Sequence, residues 1–177
     1  MKAILIIDHG SRRDEANQML ACMANLLQHM AGDSTIVEYA HMELAEPSIS
    51  QGFARCVERG ATEVVAFPYM LSPGRHATSD IPRLVGEAAA GFAGVTSRVT
   101  PAFGVHEKLG ELILMRAAVE PARELVDGSA GDWAACCWDP AKSTTACGEA
   151  CRAKQGRPPD LAAPGSRLSA VSSRPGQ

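Results

Sequence analysis

Four times in its first 120 residues the chain passes through a short apolar run and then a longer stretch in which apolar residues return every three or four positions. That alternation admits few folds. The runs at 2–8, 35–40, 63–68 and 96–101 have the length and content of buried strands. The stretches at 14–30, 47–59, from about 80, and 107–119 read as helices. In the first of these, Ala16, Met19, Leu20, Met23, Leu26, Leu27 and Met30 lie on one helical face. Gly32 and Gly60 stand where the first two helices should end, and Pro47 and Pro82 suit first turns, where a missing N–H costs nothing. Leu109, Leu112 and Ile113 should face inward from the last helix. Four strand-then-helix units with short links imply an α/β fold: a parallel sheet with helices on both faces. Right-handed crossovers make the flavodoxin-like strand order 2-1-3-4 the simplest solution. Four strands are few for such a sheet, so two copies are expected to associate.

In this order the first and third strands lie side by side where the winding reverses, and their carboxyl ends open a ligand crevice. His9 follows the first strand in Ile-Asp-His-Gly-Ser-Arg-Arg, and His76 follows the third in Ser-Pro-Gly-Arg-His. Two neutral imidazoles at one crevice suit a divalent transition metal; the plainer alternatives are a strand-end histidine bonded to backbone and a polar loop residue. Gly10 allows a sharp turn after His9, and Ser11 can cap the helix that follows. Pro73 and Gly74 set a tight turn in the loop 69–77, and Arg75 there can engage a carboxylate. Glu43 and Glu46, past the second strand, reach the same sheet edge. Glu43 is the candidate active-site carboxylate, and Glu46 fits the flank of a helix start. His41 is either a third crevice histidine or a strand-end residue facing solvent. Asp80 reads as a helix cap, and His29 and His106 as surface residues. Cys22 and Cys56 read as small core hydrophobes. No Gly-x-Gly-x-x-Gly, Walker loop or Gly-x-Ser-x-Gly elbow is present, so neither ATP, a dinucleotide nor a serine nucleophile is indicated.

Beyond residue 120 the composition changes. Residues 121–177 are rich in Pro, Gly, Ser and Arg, contain both tryptophans, and read as a largely disordered tail appended to a domain at 1–120. Cys136, Cys137, Cys147 and Cys151 cluster there. In a reducing compartment such a cluster suits metal or redox chemistry better than a disulfide framework. A net charge of −3 gives no reason to expect nucleic acid or an anionic membrane as partner. No stretch approaches the ~20 apolar residues of a membrane span, and only five apolar residues follow Lys2 before Asp8. A cytoplasmic location is therefore expected.

The segments Ile-Asp-His-Gly-Ser-Arg-Arg, His-Met-Glu-Leu-Ala-Glu-Pro-Ser-Ile and Pro-Tyr-Met-Leu-Ser-Pro-Gly-Arg-His with Asp-Ile-Pro, in that order, resemble the short CbiX/SirB class of sirohydrochlorin chelatases over about residues 1–118. The resemblance implies a class II half-chelatase fold and ATP-independent insertion of a divalent metal into sirohydrochlorin. Cobalt would feed cobalamin synthesis and ferrous iron would give sirohaem; related short enzymes insert nickel. It implies His9 and His76 as metal ligands, a homodimer as working unit, and no cofactor beyond the substrate metal. His9, His76 or Glu43 would take the pyrrole protons. Ser11, Arg12, Arg13 and Arg75, with helix N–H groups, would hold the macrocycle's carboxylates. Some relatives carry cysteine-rich tails with iron–sulfur clusters, which makes Cys136, Cys137, Cys147 and Cys151 candidate tail ligands.

Two other readings compete. A histidine phosphatase wants Arg-His-Gly after its first strand, whereas here Asp8 precedes His9 and would repel phosphate. A non-enzymatic metal-delivery or storage protein would use His9, His76 and the tail cysteines, retain metal tightly, and ignore tetrapyrroles.

Overall fold

The computed structural model describes residues 1–121. Strands β1 (Lys2–Asp8), β2 (Thr35–His41), β3 (Glu63–Pro68) and β4 (Thr96–Val99) form one sheet in the order β2-β1-β3-β4, every pair parallel. This is the expected order. Helices α1 (Asp14–Ala31), α2 (Ile49–Glu58), α3 (Ile81–Ala89) and α4 (Glu107–Arg116) follow the strands in turn. The tail cysteines and the proposed boundary at residue 120 concern chain that lies at or outside the limit of the described residues.

The two-residue period of β1 divides the core. Ala3, Leu5 and Ile7 point to one face, where they meet Phe53 and Cys56 of α2 and Ile81 and Val85 of α3. Ile4 and Ile6 point to the other, against Leu20, Met23, Ala24 and Leu27 of α1. Helices therefore cover both faces, and the central strands β1 and β3 are buried. On the α1 side, Phe103 meets Phe67 and Tyr69 edge-on, with ring centres 5.0 Å apart in each pair.

Several local expectations are revised. Ser48, not Pro47, starts α2. Its hydroxyl accepts from Gln51 N while the Gln51 side chain accepts from Ser48 N, so a capping box outranks the proline, which sits one residue earlier. Arg13, not Ser11, occupies the position before α1, and the Ser11 hydroxyl reaches only Arg13 N at 3.1 Å. The loop after β3 ends at Arg75, because His76–Asp80 forms a π-helical turn that runs into α3. Strand β4 stops at Val99, two residues early.

Met19, Leu26 and Met30 of α1 and the whole of α4 are not core. Met19 and Met30 are well exposed, only Leu20 and Ala24 of α1 are buried, and α4 has no buried residue. Leu112, Ile113 and Met115 form an apolar stripe open to solvent. Helical periodicity reports an apolar face but not what meets it. Cys22 is likewise exposed, whereas Cys56 is buried as expected. Burial pushes the Cys56 thiol up to about 12, with the nearby Glu38 charge adding to the effect.

Candidate metal centre

The site grows from the carboxyl ends of β1 and β3. The two strands pair up to Ile7 opposite Pro68, and Tyr69 N still donates to Ile7 O at 2.6 Å. Past this point the chains separate. His9 leaves from β1, and the loop from β3 returns to bring His76 over the gap. Their ring centres stand 5.2 Å apart with an interplanar angle of 62°. A cation ~2.1 Å from one nitrogen of each ring, at a tetrahedral angle, would separate the ring centres by about 5 Å. Both rings are partly open to solvent, at 42% and 46% exposure, so a metal held there would keep free positions. Among the described residues no group of three or more His, Cys, Asp or Glu side chains is arranged to enclose a cation.

Glu43 joins the two histidines. Its Oε2 is 3.5 Å from His9 Nε2, and the side chain is half exposed at the same mouth. It is held there by backbone: Glu43 N and Leu44 N donate to His9 O at 3.3 and 3.4 Å, and Met42 N donates to Asp8 O at 2.9 Å. Glu46 lies further along, where its carboxylate accepts from Ser48 N.

Gly10 fits the turn demanded of it. Its φ is +80°, and a Cβ there would lie 3.1 Å from Ala45 N and from His41 Cβ. The Asp8 carboxylate closes this turn by accepting from Gly10 N at 2.8 Å.

His41 does not face solvent; it stands in the wall of a groove at the strand ends. It is 1% exposed, and its Nδ1 meets Asp8 Oδ1 at 2.5 Å, in register across β1 and β2. The Nε2 has no hydrogen-bond partner among the described residues. The residue ties the two strand ends together beneath the Gly10 turn and so belongs to the support of the site.

The basic residues do not act as one set. Ser11 and Arg12 line a groove of about 470 Å³ that runs between the start of α1 and the segment 44–46, with His41 in its wall. Arg13 lies outside that groove, beside Glu15 and Ala16. Arg75 is exposed immediately before His76, at the start of the π turn. His29 is exposed, and His106 caps α4 by accepting from Lys108 N.

Two aspartates support the histidines in ways their local sequence does not reveal. Asp8 serves both the Gly10 turn and His41. Asp80 makes no side-chain cap on α3; its Oδ2 lies 2.9 Å from His76 Nδ1. The signal available in the sequence was the spacing of four between His76 and Asp80, which puts both on one side of a helical turn.

The sequence matches the CbiX family over residues 3–120. The chain belongs to the CbiX family. This CbiX chain is 42% identical over 133 residues to the chloroplastic sirohydrochlorin ferrochelatase of Arabidopsis thaliana, covering 75% of itself and 58% of that protein. It is 34% identical over 116 residues to a sirohydrochlorin cobaltochelatase of Priestia megaterium, covering 66% of itself and 37% of that protein. Among solved structures it resembles the sirohydrochlorin chelatase SirB from Bacillus subtilis subspecies spizizenii in complex with cobalt, with a TM-score of 0.61 and 30% identity over 66% of this chain and 50% of that one. A CbiX protein from Marinobacter aquaeolei superimposes with a TM-score of 0.56 and 26% identity, over 67% of this chain and 95% of that one. The match thus spans 37–58% of the length of the first three of these proteins and almost all of the last.

Proposed function

We propose that this CbiX chain inserts a divalent metal, cobalt or ferrous iron, into sirohydrochlorin without ATP. The observation that carries the proposal is the convergence of His9 and His76 at 5.2 Å across the open end of β1 and β3, with Glu43 beside them. Insertion needs a metal bound firmly enough to be located and loosely enough to be given up. Two imidazoles with open positions serve that purpose better than a closed four-ligand shell. As the cation moves into the macrocycle, two pyrrole N–H protons leave. Glu43, an acceptor-only carboxylate at the mouth, takes one, and a histidine released from the metal can take the other. The product carries the metal between four ring nitrogens, and the protons pass to solvent.

The carboxylates of sirohydrochlorin call for cationic and N–H partners around the rim. Arg75 beside His76, and Ser11, Arg12 and Arg13 at the start of α1, are assigned to this task. A flat macrocycle is large for one open crevice. We therefore infer a homodimer in which two copies stand in for the two halves of longer relatives such as the Priestia megaterium cobaltochelatase, of which the match covers 37%. The uncovered Leu112, Ile113 and Met115 stripe of α4 supports this reading. Light scattering should then give twice the chain mass of 18.6 kDa. A cytoplasmic setting is proposed with this reading. No helix among the described residues is long and apolar enough to cross a membrane.

The test is metal insertion followed by the shift of the tetrapyrrole absorption bands on adding cobalt or, anaerobically, ferrous ion. His9→Ala and His76→Ala should each lower kcat/KM by more than about 100-fold, since supporting residues around a ligand are already worth roughly 10–100-fold. Full activity in both variants contradicts the proposal. A wild-type protein that holds cobalt tightly yet leaves the sirohydrochlorin spectrum unchanged favours metal delivery instead. An absorption spectrum of anaerobically purified protein separately tests Cys136, Cys137, Cys147 and Cys151 as cluster ligands.

A further inference from the structure

We propose that Asp80 is a positioning residue for metal capture: through its bond to His76 Nδ1 it fixes the ring so that Nε2 offers its lone pair to the cation. The inference rests on His76 being a metal ligand, as proposed above, and goes beyond it by assigning Asp80.

The geometry assigns the two carboxylates near the histidines to different tasks. Glu43 approaches His9 at Nε2 and is half exposed, so it shares the open mouth. Asp80 approaches His76 at Nδ1, at 2.9 Å, and is three-quarters buried on the protein side of the ring. It does not serve as a helix cap. Its backbone is already helical, at φ −73° and ψ −47°, and its side chain accepts nothing from the first turn of α3. Among the described residues the ring of His76 is its one side-chain partner. The π turn holds the pair in place: Ile81 N donates to His76 O, spanning five residues, while Ala77 and Ile81 are buried on either side. Neither end of the pair can drift without uncovering core.

The chemical consequence follows from what a carboxylate can do. It only accepts, so a neutral His76 facing it carries its proton on Nδ1. That leaves Nε2 unprotonated, facing away from Asp80, and makes the ring a better donor to a metal. An amide in the same place can donate through its NH₂ to Nδ1. The opposite tautomer then becomes available, in which Nε2–H blocks the cation.

The experiment uses the full chain, with Co²⁺ as the probe. In long-range ¹H–¹⁵N spectra of the imidazoles, wild-type His76 should show the Nδ1–H tautomer, assigned by loss of the signals in His76→Gln. Asp80→Asn should move the population toward Nε2–H and weaken Co²⁺ binding, read from its visible bands, by roughly 10–100-fold. Asp80→Glu, which keeps an acceptor-only group, should restore much of that affinity. In the insertion assay Asp80→Asn should raise KM for Co²⁺ and leave KM for sirohydrochlorin within about twofold of wild type, a split that general loss of structure would not give. A wild-type ring in the Nε2–H tautomer overturns the proposal whatever the variants do. So does an Asp80→Asn protein that binds Co²⁺ as wild type does while His76→Ala does not; in that case the metal site stands and only Asp80 is misassigned. If His76→Ala itself binds Co²⁺ as wild type does, the ligand reading fails and takes this inference with it.

Discussion

Replacing Gly10 by alanine tests how the turn after β1 holds the candidate metal site. Two costs are separable. At φ +80° an L-residue is strained by about 1–2 kcal/mol. The added Cβ would also sit 3.1 Å from Ala45 N and His41 Cβ, and 3.2 Å from Leu44 N. None of these atoms can rotate away, since two are backbone and the third belongs to a buried strand residue. Overpacking of this kind costs about 1–3 kcal/mol, for a total of about 2–5 kcal/mol. Gly94→Ala is the matched control: its φ is +83°, but nothing lies within 4 Å of its Cβ, so only the backbone cost applies. For a domain of this size 1 kcal/mol corresponds to about 4 °C in Tm. Gly10→Ala should therefore melt about 8–20 °C low and Gly94→Ala about 4–8 °C low, with urea unfolding by circular dichroism giving the free energies directly. The strain at Gly10 is relieved by moving 44–45 outward, which lengthens the 3.3 and 3.4 Å bonds from Glu43 N and Leu44 N to His9 O. Co²⁺ affinity should fall with stability in Gly10→Ala and stay unchanged in Gly94→Ala. Equal losses of stability in the two variants would refute the close approach, and unchanged Co²⁺ affinity in Gly10→Ala would refute its link to the site.

Two further expectations concern the core. Gly52 in α2 leaves no room: a Cβ would lie 2.9 Å from Ala40 Cβ, Leu5 Cδ1 and Tyr39 O, so Gly52→Ala should lower the urea midpoint despite the ~1 kcal/mol by which alanine favours a helix. Gly86 in α3 has no described residue within 4 Å, so Gly86→Ala should raise the midpoint, with a gain in unfolding free energy of about 0.5–1 kcal/mol; the same sign for both would contradict the packing of α2 on β1 and β2. The Cys56 thiol makes stability depend on alkaline pH. With a folded pKa of about 12 against an ordinary 9.0, the native protein keeps a proton that the unfolded chain has lost anywhere between those values. The thiol's contribution is therefore full below about pH 9 and is lost as pH rises toward 12, at up to about 1.4 kcal/mol per pH unit. Unfolding free energies from pH 8 to 10.5 should fall more steeply for wild type than for Cys56→Ala, and parallel slopes would count against a buried, protonated thiol.

Residues such as Val64, Val65 and Ala66 in β3, or Leu5, Ile6 and Ile7 in β1, are apolar on both faces and announce a central parallel strand without help from the rest of the chain. His9 and His76 could be paired from sequence because strand order follows from handedness once the four units are recognised. What stayed illegible involved partners distant in sequence. His41 stays open between a crevice histidine and a solvent-facing strand end until β2 is laid beside β1 in register, which puts it opposite Asp8 and buries it. Arg12 and Arg13 are adjacent in sequence but face different surfaces, because one residue of rotation at a helix start redirects a side chain. Leu112 and Ile113 satisfy the helical period and remain exposed, since period says nothing about distance from the core.

The amino-acid sequence by itself determined the alternation of strand and helix, the parallel order 2-1-3-4, and the delivery of two histidines to one sheet edge. Those features depend on local apolar pattern and on the handedness of crossovers, both of which are written along the chain. Only the tertiary structure decided which carboxylate stands at which nitrogen: Glu43 at His9 Nε2, Asp80 at His76 Nδ1 and Asp8 at His41 Nδ1. Contacts at 2.5–3.5 Å depend on strand register, on a five-residue turn and on one glycine at positive φ, and a shift of a single residue in any of these would redistribute the partners.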